Sequence, residues 1–178
     1  MKKSVFCGLV LATLGVATSV SAQDTEWNRY TLEDLGGVFV RIEVGDACAA
    51  AGITASSYEA DVSLKLIESE VGVLTQIEML ENPAMPELRA SLECASGTGS
   101  VDGSVAWSVG LRVQQVAQML RDTQITLPES VTWYSTDLGI STSGAVTDAL
   151  GASLMAEIEK FVEAWTSANT EDAEVGND

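Results

Sequence analysis

Cys48 sits in the stretch IEVGDACAAAGIT (residues 42–54), after a strand-like run, between Gly45 and Gly52, and just before a segment of helical composition. A cysteine so placed suits two chemistries: a thiolate nucleophile with its pKa lowered at a helix start, or one half of a disulfide. The nucleophile needs a general base, most often histidine, and the 178-residue chain contains no histidine. That absence also removes a Ser-His-Asp triad, the commonest zinc ligands and the usual proton shuttle near neutral pH. The disulfide needs only a partner, and Cys94 ends the strand-like run ELRASLEC. Closing the 46 positions from Cys48 to Cys94 would stabilise the fold by about 4 kcal/mol on the chain-entropy account.

Carboxylates are the other reactive groups in supply. Two of them can hydrolyse a glycoside without histidine when they face each other across a cleft at about 5–9.5 Å with one desolvated. Among 26 acids, Glu43, Asp46, Asp102 and Asp137 fall near loops or strand ends. So many acids supply pairs by chance, and no catalytic residue is assigned. Phosphate-binding motifs fare worse. A P-loop requires Lys and Ser or Thr after its second glycine, whereas Ile53 and Thr54 follow Gly52. Gly97, Gly99 and Gly103 lead into an alternating run instead of a helix, which marks a hairpin turn. The acids near the C-terminus lack EF-hand spacing. No cofactor and no metal site is read from the sequence.

The elements that would position these groups begin after a leader. Lys2 and Lys3 precede an apolar run over residues 5–20 and then Val20-Ser21-Ala22, the layout of a secretory signal cleaved after Ala22. Thr13, Thr18 and several Gly and Ser interrupt the run, which speaks against a membrane anchor of roughly 20 apolar residues. Cys7 leaves with the leader, so two cysteines remain in an oxidising compartment, periplasmic or extracellular, where an even count favours the bridge. Cleavage also removes two lysines and no acid, taking the net charge from −17 to −19. Such a surface repels nucleic acid and anionic lipid headgroups, and nothing after the leader is apolar enough to insert in a membrane.

The organisation expected is a lead-in over 23–35, one domain over 36–166 and an acidic disordered tail over 167–178. VFVRIEV alternates Val38, Val40, Ile42 and Val44 against Phe39, Arg41 and Glu43, a strand with one apolar face. Residues 54–70 read as a helix with Thr54 as N-cap and Ile53 and Tyr58 as a hydrophobic staple. GVLTQIEML reads as a short second strand, ELRASLEC as a third, and SVAWSVGLRV as a fourth continuing to about Met119, although Val113, Val116 and Leu120 also suit a helix and leave residues 114–121 open between the two. VTWYST returns as the fifth. Val146, Leu150, Leu154, Ile158, Phe161, Val162 and Trp165 recur at helical spacing, an amphipathic helix on a sheet. The fold class is therefore α+β: a mostly antiparallel sheet of about five strands with two helices on one face, in the order β-α-β-β-β-β-α.

Through GVFVRIEV, AGIT, DVSLKL, GVLT, VGLRVQQVAQMLRD and TWYSTDLG, the chain resembles a family of exported bacterial proteins with no assigned activity. The element order is also similar, in topology, to the amino-terminal domain of the Tol-system propeller protein. That likeness implies assembly or scaffolding work. The leading functional expectation is a non-enzymatic interaction or assembly module whose partner is another envelope protein. TWYSTDLGIS is the candidate contact surface, with Trp133 and Tyr134 as its aromatic anchors; the alternative is that these rings pack in the core. A carboxylate-based hydrolase and a binder of small apolar ligands between sheet and helices are the competing expectations.

Overall fold

A computed structural model describes residues 24–170; the signal reading of residues 1–22 and the end of the acidic tail, 171–178, lie outside the described residues. Four strands form one sheet in sequence order: β1 (Phe39–Val44), β2 (Glu87–Ser96), β3 (Ser104–Gln118) and β4 (Thr126–Thr142). β2, β3 and β4 are antiparallel neighbours joined by hairpins, as the alternation and the glycine-dense turn suggested. β1 runs parallel to β2, with Phe39 opposite Glu87 and Val44 opposite Leu92. A parallel pair needs a long crossover, and the segment between β1 and β2 supplies it in three helices: α2 (Asp46–Ala50), α3 (Ser56–Glu68) and α4 (Gln76–Glu81). With α1 (Glu26–Arg29) and α5 (Val146–Thr170) the described chain has five α-helices.

The five-strand, two-helix expectation is thus corrected to four strands in a mixed sheet. The strand expected from GVLTQIEML is the reason. Only Val73 pairs, in a single parallel bridge with Val38. Thr75 then caps α4 by a capping box: Glu78 N donates to Thr75 Oγ1 at 3.3 Å, and Thr75 N donates to Glu78 Oε2 at 2.7 Å. Two orphan backbone donors are satisfied reciprocally, which favours helix over strand from that point. Val38 reaches this segment because Gly37 and Gly72 let two backbones touch: a Cβ on Gly37 would lie 2.6 Å from the Gly72 carbonyl oxygen. Two smaller corrections concern helix ends. The α3 cap position is Ala55, with Thr54 Oγ1 instead 2.8 Å from Ser57 Oγ. Residues 167–170, expected in the tail, are the last turn of α5.

The core lies between the sheet and the pair α3 and α5. Leu88, Leu92, Val109, Leu111, Val113 and Trp133 from the sheet meet Val62 and Leu66 of α3 and Leu150, Leu154, Ile158 and Phe161 of α5, all essentially inaccessible. Trp133 packs edge-on against Phe161, with ring centroids 5.5 Å apart. The lead-in docks on this layer as well. Asp24 Oδ1 accepts from Trp133 Nε1 at 3.1 Å and from Arg29 Nε at 2.8 Å, while Asn28 Nδ2 donates to Thr132 O. Gln115 Nε2 donates to Thr31 O, and Asn169 of α5 donates to Leu32 O. Among the described residues the opposite face of the sheet carries no helix of comparable length.

Candidate functional site

Cys48 and Cys94 are joined in a disulfide with Cα atoms 5.0 Å apart. α2 places Cys48, fully buried, against β2, where Cys94 follows the buried Leu92 on the same strand face. The sulfur is a covalent tie between the crossover and the sheet, so the nucleophile reading has no free thiolate to act with.

The four acids singled out by position do not converge. Glu43 lies on the open face of the sheet, ion-paired with Arg112 at 3.4 Å and Arg89 at 3.6 Å. Asp46 is exposed in the first turn of α2. Asp102 sits in the β2–β3 turn and accepts from Gly103 N. Asp137 faces the helices and accepts from Ser153 Oγ at 2.8 Å. Close to Asp137 in the fold, Glu157 of α5 is buried, its two oxygens taken by Ser135 Oγ and, at 2.6 Å, Lys160 Nζ. This polar seam pins α5 to β4, and every carboxylate oxygen of Glu157 has a partner. Glu157 escaped the positional reading, although its signal was available: it lies three residues after Leu154 and four before Phe161, on the apolar stripe.

Of the two aromatics proposed as contact anchors, Trp133 is wholly buried on the helix side. It belongs to the core and cannot touch a partner. Tyr134 is half-buried on the open face, opposite Arg112.

The open face is where unassigned chemistry collects, and the strand register lays it out in rows. Ala95, Ala106 and Ile140 form one row and Glu93, Ser108 and Leu138 the next. Further along come Glu43 with Ser91, Gly110 and Thr136, then Arg41 with Arg89, Arg112 and Tyr134, and finally Phe39 with Glu87, Gln114 and Val131. The face is therefore apolar at the β2–β3 turn and ionic at the other end. At the apolar end, Leu138 and Ile140 are 75% and 77% exposed, and Val101 closes a shallow hollow of about 480 Å³ with Ala95, Ala106 and Ile140. Opposite Gly139 the Trp107 ring covers the strand on the helix side, where a Cβ would lie 2.4 Å from the indole.

At the ionic end, Glu87 is 7% exposed, and its Oε1 accepts from Arg89 Nε at 2.5 Å and from Arg41 Nε at 3.1 Å. Burial opposes the charge on Arg89, but its hydrogen bond to Glu87 and the charges of Glu87, Glu43 and Glu129 outweigh it and raise the guanidinium pKa further. A cleft of about 190 Å³ opens over this group, walled by Met79, Leu80, Met85 and Pro128, with Gln114 and Glu129 at its side. It holds two carboxylates, Glu87 and Glu129, and Glu87 Oε1 is shared by two guanidinium groups. Among the described residues no group of three or more His, Cys, Asp or Glu is placed to hold a metal ion, and no helix is long and apolar enough to cross a membrane. No protein-family model matches the chain, and no curated protein is similar enough to count as a relative.

Proposed function

We propose that this protein is an exported, non-enzymatic interaction module of the cell envelope, and that it engages its partner by accepting a strand along the free edge of β4. The observation that carries this reading is an edge with no neighbouring strand among the described residues, beside exposed apolar side chains. Ser143 N donates to Gly103 O at 3.0 Å. The alternation of an antiparallel ladder then aims the backbone N–H and C=O of Tyr134, Thr136, Leu138, Ile140 and Thr142 away from β3, toward solvent. Natural edges are normally blunted by charge, proline or a cover; from Tyr134 to Thr142 the only charge is Asp137, which points to the helices. An added strand would gain main-chain hydrogen bonds from the edge and side-chain contacts from Leu138, Ile140 and the adjoining hollow.

The long-range charge selects the partner. With 26 acids against nine bases, a second acidic copy is repelled, and a neutral or basic segment is drawn in. The buried disulfide suits the oxidising address that the leader implies. Crosslinking in intact cells, followed by partner identification, tests the reading with Leu138→Asp and Ile140→Lys. Both positions are exposed, so the fold should tolerate the change within about 0.5 kcal/mol. Loss of a reproducible partner in both variants is the expected outcome; an unchanged crosslinking profile refutes this surface.

A further inference from the structure

The cleft at the ionic end of the open face is built for a ligand that carries both charges. Gln114 is 8% exposed, its Nε2 donates to Glu129 O at 3.4 Å, and its Oε1 is buried with no hydrogen-bond partner among the described residues. A buried acceptor left unpaired is costly, and the residue that carries it lines an open cleft. Across from it, Arg41 uses only Nε, on Glu87, among the described residues; the two terminal nitrogens of the guanidinium remain to bind an anion. Glu129 stands exposed at the same wall.

The register sets the spacing. Glu87 lies directly opposite Gln114, and Arg41 leans over β2 to reach Glu87. Glu87 of β2 thus stands between Arg41 of β1 and Gln114 of β3, and both of those residues line the one cleft. A simple anion here would face Glu87 and Glu129 in a strongly acidic molecule. A simple cation would face Arg41 and Arg89. A zwitterion answers both, and about 190 Å³ is small beside the roughly 300–1,000 Å³ of drug-sized sites. The methionine, leucine and proline walls ask for an apolar remainder, and thioethers adapt to several shapes.

We propose that this cleft binds a free α-amino acid with an apolar side chain. The ligand's carboxylate rests on the terminal nitrogens of Arg41, its ammonium donates to Gln114 Oε1 and Glu129, and its side chain lies along Met79, Leu80 and Met85. Pro128 and Glu129 of β4 line the site, but it includes none of Tyr134–Thr142, so it stands or falls independently of partner docking.

Calorimetric titration of the disulfide-intact protein with L-leucine and L-methionine tests it. Saturable, one-to-one binding is expected. N-acetyl-L-leucine, which lacks the ammonium, and L-leucine amide, which lacks the carboxylate, should each bind about tenfold or more weakly, since each loses charge-assisted hydrogen bonds. Gln114→Leu and Arg41→Gln should weaken L-leucine by a similar factor, and Ile140→Lys should leave it unchanged. Absence of saturable binding by either amino acid overturns the proposal. So does equal binding of L-leucine and both blocked analogues, a comparison made on the unaltered protein and therefore decisive even if a variant fails to fold.

Discussion

Three residues give the sharpest tests. Glu157 is a carboxylate sealed between α5 and β4, partnered by Ser135 and Lys160. Removing one partner of a buried polar pair costs more than removing both. Ser135→Ala is expected to lower stability by about 1–3 kcal/mol, and Ser135→Ala combined with Glu157→Leu to recover most of that loss, as read by urea denaturation. Trp133→Ala removes the largest side chain of the core beside Phe161 and should cost about 3–5 kcal/mol; lost binding in that variant would report unfolding and not an interface. Asp24 ties the lead-in to Arg29 and Trp133. The hydrogen bond from Arg29 chiefly, against an opposing desolvation, and then that from the Trp133 indole hold its carboxyl below the ordinary value of 3.8. A depressed folded pKa means that this stabilisation is complete above the ordinary value and fades as pH falls through the lower one. Melting temperature followed into acid should therefore fall less steeply in Asp24→Asn than in the parent below about pH 4.

Among the elements, the covalent tie between α2 and β2 has the clearest consequence. Replacing Cys48 and Cys94 by alanine should lower stability by about 2–5 kcal/mol in denaturant titrations, because the unfolded chain regains the freedom of a 46-residue loop. The cysteine pairing was legible in the sequence because the alternatives demanded a base that the chain lacks. α5 and β3 as far as Val113 were legible because their periods, near four and two, run unbroken over those stretches; from Gln114 on, where Val116 and Leu120 with Val113 also suit a helix, the alternation breaks at the register shifts of β3 against β4. α4 was misread as a strand although Thr75-x-x-Glu78 is a capping box in plain view; the apolar Val73 and Leu74 before it drew the pattern toward strand. The parallel β1–β2 pair could not be seen at all, since each strand shows the same alternation whichever way its neighbour runs. For the same reason the ionic cluster was hidden: Arg41, Glu87, Arg89 and Gln114 become neighbours only through that register. Trp133 and Tyr134 teach the converse, because adjacent strand residues face opposite sides and only one of two aromatics can be exposed.

The molecule as a whole divides its labour between two faces. One face is sealed by α3 and α5 and holds the fold together. The other is graded from ionic to apolar, and ends in a long edge strand with two bulky aliphatic side chains uncovered. Among the described residues no strand or charged side chain covers Tyr134–Thr142 against a second edge like it; the shield is the net charge of −17. Electrostatic repulsion reaches only about 10 Å in 0.1 M salt and about 3 Å in 1 M, so the protection is conditional on the medium. In dilute buffer the protein should scatter light as single chains. In concentrated sodium chloride its mass should climb as bare ladders find each other, and Ile140→Lys should abolish the rise. An organism that exports this chain into brine would have to keep the strand occupied.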